Sequence, residues 1–210
     1  MTVTAGMQGE RIKMESAMNL ARRLCQMSLW FGGALVLLAA VLIGIDVLLR
    51  KFFQMSIGGT DELAGYALAL GTSWALGAAL LDRAHIRIDS LYIHFPRRLR
   101  LALDLVSLTL FIGFFGLVAL RGWDVVEQSW ISSSRSHTAL ETPTVIPQFL
   151  WVVGFAILVV VGVMLFVQAV LLMARGEPGA ATRVISTRSA AEEVEDEIRF
   201  LKERESEGGR

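Results

Sequence analysis

The sequence predicts an all-α integral membrane protein with four transmembrane helices. Of its 210 residues, 54 % are hydrophobic, and the mean hydropathy of +0.54 is too high for an ordinary soluble domain of this size. The charged residues cluster between long uncharged runs, and about 20 apolar residues suffice to cross the hydrocarbon core of a bilayer. The uneven distribution of Lys and Arg gives the orientation of the spans.

Four apolar runs define the spans. The first run, residues 24–45, has 22 residues without a charge, and the second, residues 63–81, has 19. The third becomes long enough when it is extended back across Asp104, and the fourth is uncharged from Thr142 to Ala174. We therefore predict a membrane domain of residues 24–175, with spans at about 24–49, 62–81, 98–121 and 148–174.

The segments between the spans differ in positive charge. Residues 1–26, 82–100 and 175–210 together hold sixteen Lys and Arg, whereas residues 49–62 and 121–147 hold four. Because positive segments stay cytoplasmic, we predict that both termini are inside. An N-terminal segment of residues 1–23 and an acidic tail of residues 176–210 would then be cytoplasmic. The indoles expected at the outer interface are Trp123, Trp130 and Trp151.

The connection between the second and third spans, "DRAHIRIDSLYIHFPRRLR", combines five arginines with apolar residues at helical spacing. This pattern predicts a short amphipathic helix in the headgroup region, where the arginines meet membrane lipids. Nucleic-acid binding is disfavoured, because topology requires the same charges and no aromatic platform accompanies them.

The acidic tail holds eight acids and five bases from Ser186 to Arg210. Its apolar residues at helical spacing predict a short helix after the linker "GEPGAA". Both a solvated tail and a docking element remain open interpretations.

Charged residues at helix ends form the first group of candidate structural residues. Asp46 and Arg50 are four residues apart near the end of the first span, a spacing that favours an ion pair. In "GGTDEL", Thr60 or Asp61 can cap the second helix, and Glu62 lies in its first turn. An acid within a span is a functional candidate, but the structural interpretation, pairing for Asp46 and capping at the start of the second helix, is favoured.

The second helix carries a ridge of small residues. Its members step by three or four positions and are Ala64, Ala67, Gly71, Ala75 and Ala78. Such a ridge lets another helix approach closely, and the neighbour can belong either to this chain or to another subunit.

The sequence contains no constellation typical of catalysis or of transport chemistry. It has no Ser/His/Asp or Cys/His arrangement and no phosphate-binding glycine loop. No histidine lies in a predicted span to ligate haem, and no pair of broken helices indicates a complete secondary transporter. We therefore expect a protein without cofactor or metal that is not an enzyme and works with something larger.

Two stretches carry a resemblance to a known family. "DVLLRKFF" and "GGTDELAGYALALGTSWALGAALLDRAHIRIDSLYIHFPRRLR" resemble the small membrane subunit, of DctQ type, of tripartite ATP-independent periplasmic (TRAP) transporters. The residues that correspond to the family pattern include Asp46, Arg50, Glu62, Tyr66, Arg83, His85, Asp89 and Arg97. The ending "TALETPTVIPQFL" before the fourth helix is also similar.

This resemblance implies a three-part system in the bacterial inner membrane. A periplasmic binding protein captures an organic acid, often a carboxylate, and a large multi-span subunit carries the substrate and sodium sites. The small subunit anchors the fixed part of the large one. The alternatives from other classes are a membrane anchor of a respiratory or other enzyme complex and a stand-alone four-helix channel or sensor.

With the resemblance, a structural role is expected for the cytoplasmic connection. His85 and Asp89 are one helical turn apart, so an imidazole and a carboxylate can hydrogen-bond on one face. Arg83 and Arg97 would meet lipid phosphates or the large subunit.

Overall fold

A computed structural model describes the chain as a series of helices joined by connecting segments. The structure describes residues 2–82 and 95–185, together with Ile198, Leu201, Lys202 and Arg204. Its helices in chain order are α1 (Thr2–Phe53), α2 (Thr60–Leu81), α3 (Arg97–Ile131), α4 (Val145–Ala174) and α5 (Pro178–Ile185).

Four of these helices are long and apolar enough to cross a membrane. The apolar segments are Met18–Phe53, Thr60–Leu81, Leu99–Ile131 and Val145–Ala174. The prediction of an all-α chain with four such helices is therefore confirmed. The orientation of the termini remains a prediction, and the amphipathic helix falls on residues 83–94, outside the described residues. Of the acidic tail, residues 176–185, which include α5, and four helical positions at Ile198, Leu201, Lys202 and Arg204 are described.

The long helices form an open row rather than a closed bundle. The main packing partners are α1 with α2, α2 with α4, and α4 with α3. In the most apolar window of each helix, 39 % of the residues are buried in α2 and α4, against 11 % in α1 and 17 % in α3. The row therefore runs α1–α2–α4–α3, with α1 and α3 at its edges.

A hydrophobic core joins the four helices at the end where α5 folds back. Leu158 of α4 is fully buried there, and Cys25 of α1 is 2 % exposed. The short helix α5 packs against α4 and α3, and Ala181 is fully buried in that contact. A lone buried thiol in this setting acts as a small apolar side chain.

Prolines mark the starts of two helices. Pro96 is the N-cap of α3 in an extended conformation, and its carbonyl accepts the N–H groups of Leu99 and Arg100 at 2.9 and 3.1 Å. Pro147 lies in the first turn of α4, where its missing N–H removes no helix hydrogen bond.

The helices extend beyond the predicted spans. α1 reaches back to Thr2 and forward to Phe53, and α3 continues to Ile131 rather than ending near residue 121. A count of apolar residues identifies the part of a helix that is apolar enough to lie in lipid, but it does not identify the ends of the helix. Polar residues such as Glu127 and Gln128 continue the same helix because they are good helix formers.

The capping prediction for α2 is wrong. The N-cap is Gly59, with φ of 87°, and no side chain caps the helix. The Thr60 hydroxyl instead donates to the carbonyl of Ile57 at 2.8 Å, and Asp61 is exposed. Glycine occupies the cap because the chain enters α2 through the left-handed region, which other residues rarely adopt.

Candidate functional site

Asp46 organises the turn between α1 and α2. Its carboxylate is 3 % exposed and pairs with Arg50, whose Nη2 lies 2.5 Å from Oδ2 and whose side chain is 52 % exposed. The other carboxylate oxygen, Oδ1, accepts the backbone N–H of Ile57 at 2.6 Å and the hydroxyl of Ser56 at 3.1 Å. One buried carboxylate thus binds three groups and reaches across the turn.

Arg50 and the backbone complete this turn. The Nε of Arg50 donates to the Ser56 hydroxyl at 3.2 Å, so Asp46, Arg50 and Ser56 form a closed triangle. The chain reverses through Gln54, which has φ of 54°, and Met55 donates its N–H to the carbonyl of Leu49. Charge-assisted hydrogen bonds are roughly twice as strong as neutral ones, so this triangle fixes the turn firmly.

Glu62 joins α2 to the distant loop between α3 and α4. Its Oε1 accepts the hydroxyl of Tyr66 at 2.7 Å, one helical turn away. Its Oε2 accepts the hydroxyl of Thr138, which lies 76 positions further along the chain. Glu62 is therefore a link between two parts of the protein as well as a first-turn acid.

The α3–α4 loop, residues 132–144, is held by its own hydrogen bonds. Thr144 donates its N–H to Ser134 at 3.1 Å, and Ser136 donates its N–H to Thr142 at 2.9 Å. Arg135, bridged to Pro143, donates to the carbonyl of Glu141 at 3.2 Å. A loop with this many internal bonds presents Thr138 in a fixed position.

The tip of this loop lies on the α1–α2 turn. A Cβ on Gly59 would lie 2.4 Å from Cγ of Leu140, and one on Gly58 would lie 3.0 Å from Cβ of Ala139. The two connections therefore pack together, and we call the resulting set of contacts the loop-end cluster. It comprises the α1–α2 turn with Asp46 and Arg50, the Glu62–Tyr66 pair, and the α3–α4 loop.

The small-residue ridge of α2 contacts α1 within this chain. A Cβ on Gly71 would lie 2.7 Å from Cγ2 of Val36, and one on Gly32 would lie 2.8 Å from the carbonyl oxygen of Gly71. Ala75, one turn further along α2, is half-buried. The sequence does not say which helix packs on this ridge. At Gly71 that helix is α1 of the same chain.

A second close contact joins α2 to α4. The indole Nε1 of Trp74 donates to the carbonyl of Leu150 at 2.9 Å. A Cβ on Gly154 would lie 2.7 Å from Oγ of Ser73 and 2.7 Å from Cδ1 of Trp74. Sequence reasoning missed Gly154, although a glycine in an apolar helix is a usual signal of close helix packing.

Three hydroxyl groups inside the described spans donate to carbonyls of their own helices. The hydroxyl of Ser28 donates to the carbonyl of Leu24 at 2.8 Å, and that of Thr109 donates to Leu105 at 2.7 Å. Thr72 donates to Leu68 in the same way. Within residues 2–82 and 95–185, no three His, Cys, Asp or Glu side chains are placed to hold a metal ion.

The remaining predicted residues belong to the cytoplasmic connection. Arg83, His85 and Asp89 lie outside the described residues. Arg97 is the first residue of α3, and the described part of the chain does not include its side chain. The proposed pairing of His85 with Asp89 stays a prediction.

Sequence reasoning also missed the partners of the predicted acids. Ser56, Ile57 and Thr138 bind Asp46 and Glu62, but none belongs to a recognisable motif. Ile57 acts through its backbone N–H, which any residue except proline offers. Thr138 is too distant in sequence for a periodic pattern to bring it to Glu62.

Comparison with protein families places these features in a known context. Residues 39–172 match the family described as tripartite ATP-independent periplasmic transporters, DctQ component. The matched range begins within α1 and ends within α4, so it contains the loop-end cluster and the contact of α2 with α4, whereas Gly32 and Val36, which meet Gly71, precede it. No curated protein and no solved structure matched the chain. Because the match covers more than half of its residues, this chain belongs to the DctQ family, the small membrane component of TRAP transporters.

Proposed function

We propose that this chain is the non-catalytic scaffold of a TRAP transporter in the bacterial inner membrane. In this role it holds the large multi-span subunit, which carries out sodium-driven uptake of an organic acid, in most cases a carboxylate. A periplasmic binding protein delivers the substrate. Both termini lie in the cytoplasm, which places the loop-end cluster on the periplasmic side.

The open row of helices is the observation that carries this proposal. α1 is an edge helix whose main partner is α2, and it leaves large apolar side chains such as Trp30 and Leu37 uncovered, at 74 and 67 % exposure. In a membrane, van der Waals packing between helices drives association. An open row can therefore be extended by the helices of a larger subunit, whereas a closed bundle offers less surface.

The local bonding of three hydroxyls inside the spans supports a passive role in transport. Carriage of an ion or an acid requires polar groups in the membrane that exchange partners. The hydroxyls of Ser28, Thr72 and Thr109 donate instead to carbonyls of their own helices. The groups that bind substrate and sodium are therefore assigned to the large subunit.

The loop-end cluster supports a fixed geometry on the side that faces the binding protein. Asp46 and Glu62 each bind groups from a connecting segment, so the α1–α2 turn and the α3–α4 loop are both tied to helix ends. A scaffold needs this rigidity, because the moving part of a transporter works against a part that stays still.

On the cytoplasmic side, we propose that His85 and Asp89 fix the connection between α2 and α3. Arg83 and Arg97 then face lipid phosphates or the large subunit. This proposal rests on sequence spacing and on the resemblance to the family.

Co-purification tests the scaffold role. An affinity tag on this chain should recover a large multi-span membrane protein encoded beside it when both are expressed together and solubilised in mild detergent. Recovery of an oxidoreductase complex instead would favour the membrane-anchor alternative. A chain that purifies without any partner and conducts ions would favour a stand-alone channel.

A further inference from the structure

Contacts between α1 and α2 fix the relative heights of these two helices. A Cβ on Gly32 would lie 2.8 Å from the carbonyl oxygen of Gly71, and one on Gly77 would lie 3.2 Å from Sγ of Cys25. Both contacts fit one antiparallel register. A residue of α1 is therefore level with the residue of α2 that lies equally far from these contacts in the opposite sequence direction.

One height is shared by all four long helices. A Cβ on Gly162 of α4 would lie 2.8 Å from Cγ1 of Ile112 of α3 and 3.6 Å from Cδ2 of Leu80 of α2. Arg22 comes about one turn before Cys25 in α1, and Leu80 comes about one turn after the Cys25 contact in α2. Arg22, an exposed residue, is therefore level with Ile112.

A second shared height lies nearer the loop-end cluster. A Cβ on Gly122 of α3 would lie 2.8 Å from Cγ2 of Val152 of α4. The contact of Gly154 with α2 sets Val152 level with Gly71, and Gly71 in turn contacts Gly32 of α1. The residues that follow Gly122 in α3 are therefore level with those that follow Gly32 in α1.

A bilayer perpendicular to the helices would enclose charged side chains. The uncharged runs are residues 24–45 of α1 and 105–120 of α3. At these heights the two runs overlap by about seven residues, or roughly 10 Å, whereas the hydrocarbon core is about 30 Å thick. Asp124, which is 61 % exposed, is level with the middle of the α1 run. The exposed Arg22 is level with the middle of the α3 run.

The uncharged runs are staggered in order along the row. The midpoint of the run moves away from the loop-end cluster at each step from α1 to α2, α4 and α3. The total shift is about 12 residues, or roughly 18 Å. Packed helices are about 9 Å apart, so the row is about 27 Å wide. The two lengths together correspond to an inclination of about 30–35°.

The length of α4 also favours an inclined position. Its 30 residues are all uncharged, which corresponds to about 45 Å of apolar helix. This length exceeds the hydrocarbon core by about 15 Å. A membrane helix longer than the core is accommodated by tilt, and tilts of up to about 40° occur.

We propose that this chain lies obliquely in the bilayer, with its helices inclined by about 30–35° in the plane of the row. The surface that binds lipid acyl chains is a belt that crosses α1 close to the loop-end cluster and crosses α3 about 18 Å further from it. Residues 121–131 of α3 stand outside the hydrocarbon on one side, and residues 2–23 of α1 stand outside it on the other. Both helices therefore continue beyond their apolar runs.

The proposal is independent of the scaffold role and of the orientation of the termini. It follows from the heights of charged residues in a chain that crosses the membrane. Its failure would leave the proposed function unchanged, and failure of the scaffold role would leave the inclination unchanged.

Depth measurements with spin labels on the purified full-length chain in phosphatidylcholine bilayers test the proposal. The variants are Leu37→Cys, Phe114→Cys and Glu127→Cys in a Cys25→Ala background, and all three replaced side chains are exposed. The ratio of the collision rates with oxygen and with a water-soluble nickel chelate gives the depth of each label.

Two pairs of labels separate height in the fold from depth in the membrane. Leu37 and Glu127 are level in the fold, and we expect the label at 127 to lie about 15 Å further from the bilayer midplane. Leu37 and Phe114 differ by about 20 Å in height, and we expect both labels within about 5 Å of the midplane.

Equal depths at residues 37 and 127, together with unequal depths at 37 and 114, would overturn the proposal, because the membrane normal would then follow the helix axes. Polarised infrared spectroscopy of the unaltered chain in oriented bilayers gives a second measurement that needs no variant. We expect a mean helix inclination of about 30–35°. A mean of about 20° or less, the ordinary value for membrane helices, would also overturn the proposal.

Discussion

Oδ1 of Asp46, near the end of α1, accepts the backbone N–H of Ile57 at 2.6 Å, on the far side of a reversal in chain direction. The carboxylate is 3 % exposed, so this contact lies away from water although a charged group makes it. A side chain of one membrane helix thereby fixes the turn that leads to the next.

Asp46→Ala should lower the free energy of unfolding by about 1.5–3 kcal/mol, the usual range for hydrogen bonds to a charged group. The substitution leaves the N–H of Ile57 and the guanidinium of Arg50 without their acceptor. Unfolding of the purified chain in mixed micelles of mild detergent and SDS measures the change. Asp61→Ala is the matched control, because Asp61 is an exposed acid beside the same turn, and it should be close to neutral. Equal effects of the two substitutions would contradict the role given to Asp46.

Glu62 and Thr138 should be energetically coupled. In a cycle of Glu62→Ala, Thr138→Val and the double variant, we expect a coupling free energy of about 0.5–1.5 kcal/mol, since the contact is partly open to solvent. Hydrogen exchange in residues 132–144 should rise in either single variant, because the loop loses its link to α2. His137→Ala, an exposed neighbour in the same loop, serves as the control. Additive effects of the two substitutions would show that the link is not formed.

Substitution of two adjacent glycines of α1 by alanine should change the stability of the chain differently. A Cβ on Gly32 would lie 2.8 Å from the carbonyl oxygen of Gly71, whereas one on Gly33 meets nothing within 4 Å. Gly32→Ala should therefore force α1 away from α2 and cost about 1–3 kcal/mol. Gly33→Ala should be neutral or stabilise the isolated chain by up to about 1 kcal/mol, because alanine favours a helix. If both variants lose stability equally, α1 does not pack on α2 through Gly32.

The orientation of the chain can be tested by thiol labelling. In a background in which the buried Cys25 is replaced by Ala, His137→Cys should react with an impermeant maleimide added to the periplasmic side of spheroplasts. Gly179→Cys, in the first turn of α5, should react only after the membrane is permeabilised. Both positions are exposed, so access to solvent within the protein does not distinguish them. Labelling of residue 179 in intact spheroplasts would contradict cytoplasmic termini.

The sequence predicts the helices of this protein better than it predicts their ends. Runs of apolar residues identify each of the four long helices that the structure describes, because a helix that faces lipid must be apolar over its whole membrane segment. The continuation of α3 past its predicted span and the cap of α2 do not follow from the sequence, for different reasons. α3 continues with polar residues beyond its apolar run. Gly59 occupies the cap because of its backbone angle, which the neighbouring residues do not indicate.

The residues of the candidate site also fall into a group that the sequence predicts and a group that it does not. Asp46 with Arg50 and Glu62 with Tyr66 are each four residues apart, and this spacing places them together on one helix. Thr138 and Gly154 depend instead on how helices and loops meet in three dimensions. The open order of the row, α1–α2–α4–α3, follows from contacts between helices of similar composition, which the sequence of any single helix does not encode.

Reconstitution tests the scaffold role most directly. Proteoliposomes are prepared with this chain alone, with the large subunit alone, and with both, and uptake of a radiolabelled organic acid retained by the binding protein is measured under an inward sodium gradient. We expect uptake when both membrane subunits and the binding protein are present, and none with this chain alone. Sodium-dependent uptake by this chain alone, or full uptake by the large subunit without it, would contradict the scaffold role.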